Sequence, residues 1–411
     1  VTAMTPTSKK AEIIHKKQHG ISIKQISEQA LTIVKHLNDV GFQAYIVGGC
    51  VRDLLIGKRP KDFDIATDAL PKEIKQLFRN CRLIGRRFRL AHIYFGRKEI
   101  VEVATFRAAF GGIQTKEGMI IRDNTYGTID QDAYRRDFTV NALYYHPKEN
   151  IILDFTNGFQ DLRNHVLQII GDPEIRYRED PVRMLRAARF VGKLDLAPTK
   201  TTEAAILKLN HLLQNISPAR LYDETIKLFQ CGFAMKTFPA MEHYRLLTRL
   251  LPFTAACLKT NKTKAFITHV LHNTDKRVHE GKMVIPSFLF AALLWPSLLD
   301  TFKKLLEQNL PTLQAFDTAS IEVLKEQMQY TMMPRWVKTS IQDIWALQPR
   351  LEKRSSKYIQ KLFHHPRFRA GYDLLLLRTI LEEHLNPIVN WWTEFQTASE
   401  GEKQTMIEML S

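Results

Sequence analysis

The chain has 411 residues, 45% of them hydrophobic, enough for two to four structural units with substantial cores. Its 59 lysines and arginines against 43 acidic residues leave a net charge of +16, which suits a polyanionic partner such as RNA but fits a merely basic soluble protein as well. The longest apolar stretch, VIPSFLFAALLWPSLL, is broken by Pro286 and Pro296 and is too short to span a bilayer comfortably, so no membrane partner is expected.

Residues 1–21 are polar and basic and are expected to form a flexible N-terminus. Ile23, Ile26, Leu31, Val34 and Leu37 then recur at helical spacing, with Gly41 as a natural stop. Short β-rich runs follow: QAYIV, KDFDIA, CRLIG, AHIYFG and EIVEVATF. Between them Pro71 opens a helix that runs through Phe78. The segment FRAAFGGIQTKEGMIIRDNTYG holds four glycines and little periodicity, and reads as a mobile loop. From about residue 172 amphipathic helices run almost to the end, with breaks near Pro198, Thr260 to Thr263, Pro311 and Pro334. No fixed-period repeat or heptad array is visible. Cys50, Cys81, Cys231 and Cys257 lack zinc-ligand spacing, and no basic-then-apolar leader opens the sequence. Reduced thiols and a cytoplasmic location are the expectation.

Chemistry concentrates in two short motifs. In GGCVRD, Gly48 and Gly49 lack the Cβ that would keep a triphosphate off the backbone, and Arg52 and Asp53, which follow at once, are expected with them at the nucleotide. In KDFDIAT, Asp62 and Asp64 are two apart, which on a strand puts both carboxylates on one face and Phe63 on the other. Two such carboxylates can share a pair of Mg²⁺ ions about 3.5–4 Å apart, the arrangement for in-line attack on a phosphate. Nucleotidyl transfer is the chemistry implied.

The run V-GGCVRDLLIGKRPKDFDIAT resembles the head motif of the polymerase-beta-like enzymes that include tRNA CCA-adding enzymes and bacterial poly(A) polymerases. The resemblance implies that Glu102, on a strand of the same head, is the third catalytic carboxylate; a surface glutamate on an edge strand is the alternative, and position in the family pattern favours the catalytic role. RRDFTVNA resembles the family's second motif, which gives Arg135 and Arg136 to the triphosphate and Asp137 to the ribose 2′-hydroxyl. DFTNGFQDL resembles the third, with Asp154, Gly158 and Asp161 shaping a turn into the neck.

In REDPVRMLRAARF, Glu179, Asp180 and Arg183 match the family's base-selecting motif, expected on the first neck helix. Asp180 accepting and Arg183 donating form a protein Watson–Crick edge that suits adenine or cytosine and rejects uracil and guanine. A helical Glu179–Arg183 ion pair is the plain alternative. Arg86, Arg87 and Arg89 in IGRRFRLAHI resemble the run that marks bacterial poly(A) polymerases, and are expected to support the base pocket or touch RNA.

The resemblance covers roughly residues 20 to 395. It implies an α+β chain: a nucleotidyltransferase head with a small mixed or antiparallel sheet over 22–171, then an all-α neck (172–230), body (231–333) and tail (334–395), with a flexible end over 396–411. The activity implied is template-independent addition of AMP from ATP to RNA 3′ ends, with two Mg²⁺ ions held by Asp62 and Asp64. Expected partners are RNA 3′ ends, ATP and RNA-decay machinery, with the enzyme a monomer. CCA addition to tRNA and a non-catalytic RNA-binding protein are the rival readings. Two features depart from the family. No His-Asp dipeptide of a phosphohydrolase domain occurs, and the sequence finishes on the partly acidic SEGEKQTMIEMLS rather than on a basic tail.

Overall fold

The structure, a computed structural model, describes residues 10–85, 89–96, 99–108, 113–114, 120–122 and 125–410. They form two compact units, Val1–Arg183 with Asp195–Leu209, and Met184–Leu194 with Asn210–Ser411.

The first unit is built on strands β1 (Glu12–His15), β2 (Ala44–Val47), β3 (Asp64–Thr67), β4 (Cys81–Ile84), β5 (Leu90–Phe95), β6 (Glu99–Thr105), β7 (Ile113–Gln114), β8 (Ile120–Arg122), β9 (Leu143–His146) and β10 (Ile151–Asp154). Eight of them make one sheet in the order β1-β10-β9-β2-β3-β6-β5-β4, while β7 and β8 pair separately. A further short pair, Val166–Leu167 parallel to Ala197–Pro198, puts one strand in the stretch 172–230 expected to be all-α. Every neighbouring pair is antiparallel except β3 with β6, which run parallel. The helices of this unit are α1 (Lys16–His19), α2 (Glu28–Asp39), α3 (Gly49–Leu55), α4 (Pro71–Leu77), α5 (Ile129–Arg135), α6 (Gly158–Arg163) and α7 (Pro173–Glu179); α8 (Val182–Leu194) follows, and α9 (Lys200–Leu209) returns to it.

Both faces of the central strands are covered, which is why QAYIV reads as a continuous apolar run rather than an alternation. Ile46, Ile65 and Tyr145 pack with Ile33, Val34 and Leu37 of α2 and with Val51 and Leu54 of α3. Their strand neighbours Val47, Ala66 and Tyr144 point the other way, into a cluster with Phe106 and Ala133. In the second unit every element from Asn210 onward is helical among the described residues. Of its three fully buried tryptophans, Trp345 donates to the Ala291 carbonyl and Trp392 to the Leu351 carbonyl, each at 3.0 Å, whereas the Trp295 N–H finds no hydrogen-bond partner among the described residues. The α+β class is as expected.

Three local expectations change. The N-terminus is not loose from residue 12 on: β1 pairs with β10 from Glu12↔Asp154 to His15↔Ile151, and Ile14, His19 and Ile21 are buried, so a few side chains anchor a polar segment. The acidic C-terminal end is also ordered, as the helix Glu400–Glu408 with Ser399 at its N-cap. Met406, Ile407 and Leu410 lay an apolar stripe on the core around Trp392 and Phe395, and Lys403 lies 5.0 Å from the Phe363 ring. The glycine-rich segment after Phe106 contains the antiparallel β7–β8 pair and an Arg107–Tyr126 bridge.

Gly158 has a strict packing role. A Cβ there would lie 2.0 Å from the Thr139 carbonyl oxygen, in the turn Thr139–Asn141. Gly158→Ala should therefore lower unfolding free energy by about 1–3 kcal/mol, measured by denaturant titration. Gly401→Ala, with nothing within 4 Å and a helical backbone, should leave stability unchanged or raise it by up to about 1 kcal/mol.

Candidate active site

The parallel ladder between β3 and β6 sets Asp64 directly beside Glu102, and the next ladder sets Glu102 beside His92 of β5. On the other flank Asp64 pairs with Val47, and Val47 with Tyr144. Directly paired residues share a face, so Tyr144, Val47, Asp64, Glu102 and His92 form one row across five strands. His92 Nε2 is 3.4 Å from Glu102 Oε1. Desolvation by the surrounding protein pushes the Asp64 carboxyl up to about 6, helped by Glu102 and Asp62 and opposed by Arg136. Its position remains open to solvent at the strand end.

Asp62 is not on the strand as expected. β2 supplies ladder partners only as far as Val47↔Asp64, because Gly48 (φ 84°) turns the chain out of the sheet into α3. Asp62 and Phe63 therefore precede β3 in irregular backbone, Asp62 exposed and Phe63 against the head core. Among the described residues no three His, Cys, Asp or Glu side chains converge as a metal cage.

Beside this row the glycine turn and the RRDFTVNA segment interlock. A Cβ on Gly48 would come 3.3 Å from Arg136 Nη1 and would also be strained at that positive φ. Arg52 is buried; its Nε and Nη2 donate to Asp53 Oδ1 at 2.9 and 2.6 Å, and its Nη1 donates to Asn141 Oδ1. Asn141 Nδ2 in turn donates to Asp137 Oδ1 at 3.0 Å, and the same oxygen accepts from the Phe138 amide at 2.8 Å. One amide thus ties the glycine-turn arginine to the aspartate of the second motif.

Arg136 is held by a second buried set. Its Nη2 and Nε donate to Asp132 Oδ2 at 3.1 and 3.2 Å, and Nε donates to Tyr144 Oη at 3.0 Å. Tyr144 donates to Asp132 at 2.7 Å. Burial works against the Arg136 charge, but Tyr144 and Asp132 outweigh it and hold the guanidinium firmly protonated. Burial likewise pushes the Tyr144 phenol well up.

Glu179, Asp180 and Arg183, expected together on the first neck helix, are not on one helix. Pro181 disfavours helical backbone at the residue before it, so α7 ends at Glu179 and Asp180 sits extended at φ −148°, ψ 94°. α8 then starts at Val182, and Asp180 Oδ1 accepts from its amide at 3.3 Å. Glu179 takes both Arg176 and Arg183, the latter at 3.0 Å, so the ion pair expected as the plain alternative is present. Arg183 Nη1 also donates to the Arg176 carbonyl at 2.8 Å. Arg176, buried, reaches back with Nη2 to the Arg135 and Arg136 carbonyls at 2.6 and 2.8 Å. Burial and neighbouring Arg183 pull its guanidinium down to about 10, against Glu179. It links RRDFTVNA to the segment that carries Asp180 and Arg183.

Arg86 and Arg87 lie outside the described residues; Arg89 is exposed in the β4–β5 connection at the sheet edge. Sequence reasoning missed His92, Asp132, Asn141, Tyr144 and Arg176. Asn141 lies inside RRDFTVNA, and Asp132, on α5, is four residues before Arg136, which follows the helix end, so both had a local signal. His92 and Tyr144 needed the strand register.

Family models match in chain order: "Poly A polymerase head domain" over residues 44–168, "Probable RNA and SrmB- binding site of polymerase A" over 195–258, and "Polymerase A arginine-rich C-terminus" over 308–411. Poly(A) polymerase I of Escherichia coli O157:H7 is 44% identical across 97% of this chain and 88% of its own. That of Haemophilus influenzae is 46% identical across 96% and 90%. A CCA-adding enzyme of Lactobacillus helveticus is 39% identical, over 49% of each chain. Among solved structures, the Bacillus stearothermophilus CCA-adding enzyme in complex with CTP aligns with a TM-score of 0.60 at 25% identity, over 93% of this chain and 81% of that one. High identity over nearly the full length, with the head, RNA-binding and C-terminal models in sequence, shows that the chain belongs to the bacterial poly(A) polymerase family and is a polynucleotide adenylyltransferase.

Proposed function

We propose that the chain extends RNA 3′ ends with AMP from ATP without a template, by a mechanism that uses two Mg²⁺ ions. The observation that carries this reading is the register-fixed pair Asp64 and Glu102, with Asp62 at the strand entrance. In the reaction the RNA 3′-oxygen bonds to the α-phosphorus, the bond to pyrophosphate breaks, and the hydroxyl proton departs.

Carboxylate oxygens are the donors a hard cation takes, and Mg²⁺ is commonly held by one or two carboxylates plus substrate phosphates rather than by an all-protein cage. Asp62, Asp64 and Glu102 fit that pattern, as donors for ions that enter with the triphosphate. When bound, the ions favour the 3′-alkoxide and offset charge on the leaving group. Gly48 and Gly49 let the triphosphate approach the backbone, and Arg135 and Arg136 oppose its charge. Arg52 and Asp53, tied to Asn141, hold that turn in shape, while Asp137 accepts from the ribose 2′-hydroxyl. Asp180 and Arg183 read the adenine edge, steadied by Glu179 and, through it, by Arg176. Arg86, Arg87 and Arg89 remain candidates for narrowing the pocket against cytosine or for touching RNA.

Family membership also supports a role in marking RNA for decay in a bacterial cytoplasm, with decay machinery as partner and the enzyme a monomer. A second reading, CCA addition to tRNA, is favoured by one fact: cytosine presents the same donor and acceptor order as adenine. Incubating RNA with each NTP separately, and tRNA with CTP plus ATP, separates the two. The proposal expects long ATP-dependent extension of any RNA, weak CTP incorporation and essentially none of UTP or GTP; CTP-then-ATP addition confined to tRNA would support the second reading instead.

Asp64→Asn should cut kcat by about 10²–10³-fold or more in single-turnover extension, with RNA affinity kept. The same variant tests the electrostatics in chelator. Because the folded carboxyl is held up to about 6, above its value in the unfolded chain, its protonated form favours folding at low pH. That support fades as pH rises through about 6, so metal-free Asp64→Asn should melt higher than wild type at pH 8 and equal to it near pH 4. Equal melting at both pH values would contradict the assignment.

Asp180→Ala and Arg183→Ala should each lose about 1–3 kcal/mol in kcat/KM for ATP, since either leaves its partner unmatched against the base. The double variant should lose far less than the sum, and additive losses would show that the two do not act as one edge.

A further inference from the structure

Residues 344–372 contain seven lysines and arginines and a single carboxylate, Glu352. Glu352 is turned away to the buried Arg378, with 2.7 Å between the charged atoms. In this segment a pocket of about 340 Å³ opens between the end of the helix Arg335–Lys353 and the helix Ile359–Phe363. Arg350, Lys353, Lys361 and His365 line it, Leu362 gives it an apolar wall, and no carboxylate among the described residues lines it. Among those residues Arg350, Lys353 and Lys361 also have no carboxylate partner. Tyr358 lines the same pocket with half of its surface exposed, and Lys357 Nζ lies 5.7 Å from its ring centre.

Arg350 and Lys353 have an ordinary explanation, because cations in a helix's last turn complement its dipole. That does not account for Lys361 on the next helix, for the exposed ring, or for a lining without acids. Unneutralised cations around an accessible aromatic face are what single-stranded nucleic acid requires: phosphates on the cations and a base on the ring. The volume is at the lower end of small-ligand pockets, enough for one nucleotide.

We propose that this pocket is an RNA contact in the C-terminal region, seating one unpaired nucleotide of the substrate with its flanking phosphates. It lies outside residues 195–258, the stretch whose family model is described by RNA binding. Cations on two separate helices favour a polynucleotide, with several phosphates, over a free nucleotide. The inference rests on RNA being the substrate and is independent of how the head reads ATP.

The test uses the full chain and an unstructured oligoadenylate, with affinity measured by fluorescence anisotropy over a range of salt. Tyr358→Ala should weaken binding by roughly 5- to 100-fold. Arg350→Glu with Lys361→Glu should lower the slope of log K against log[salt] by about 0.7 for each phosphate that is no longer neutralised. Glutamine at both positions serves if the charge-reversed variant melts early. KM for ATP and kcat at saturating RNA should stay at the wild-type values. Folded variants with wild-type RNA affinity and slope would overturn the inference alone. Unchanged RNA binding with loss of an additional ATP site would mark the pocket as a free-nucleotide site and also overturn it. A wild-type chain that binds no RNA would overturn both this and the substrate reading.

Discussion

The head depends on one ladder: β3 lying parallel to β6 with Asp64 opposite Glu102. Side chains alternate faces along a strand, so a one-residue slip would carry Glu102 to the opposite side of the sheet and leave Asp64 without its partner. The apolar residues on both faces guard that register. Ile65 and Val103 are buried in one cluster and Ala66 in the other, so slippage would force them to exchange surroundings. A hydrophobic constraint thereby fixes the spacing of two charges. Folding tolerates the charge repulsion because the pair sits where the sheet opens toward solvent, and Arg136 supplies opposing charge nearby.

Around the row, the flanking motifs are held by buried hydrogen bonds as well as by apolar packing. Asn141 donates to Asp137 and accepts from Arg52, and Tyr144 shares Asp132 with Arg136. Each such group is expensive to leave unmatched once buried, so the network behaves as a unit. Arg176 extends it from the chain carbonyls of Arg135 and Arg136 to Glu179 and hence Arg183. RRDFTVNA and the segment that carries Asp180 and Arg183 are in this way parts of one connected network, and under the proposed function that is the preorganisation a polymerase selecting one nucleotide needs.

Much of this was legible in the sequence because the motifs are local. GGCVRD, RRDFTVNA and EDPVR each place their functional groups within a few residues, and the β-rich runs of the head match β2 to β6. What was not legible arises from partners distant in sequence. Asp62 falls off the strand because β2 ends at Gly48, an event decided by the glycine turn and not by KDFDI itself. Asp180 and Arg183 are separated by Pro181, whose effect on the preceding residue outweighs the helical spacing of their numbers. His92 carries no motif and reaches Glu102 only through the β5–β6 register. At both ends, polar composition concealed a few apolar residues, Ile14 near the start and Met406, Ile407 and Leu410 at the finish, that are enough to dock short elements.

The central claim is that the row of carboxylates, the glycine turn and the Asp180–Arg183 edge serve one bound nucleotide. A crystal structure of the full chain with Mg²⁺ and a non-hydrolysable ATP analogue tests it most directly. The account predicts ions among Asp62, Asp64 and Glu102, the triphosphate against Gly48, Gly49 and Arg136, and the adenine edge on Asp180 and Arg183. Ions bound away from those carboxylates, or an adenine whose edge meets neither Asp180 nor Arg183, would contradict it.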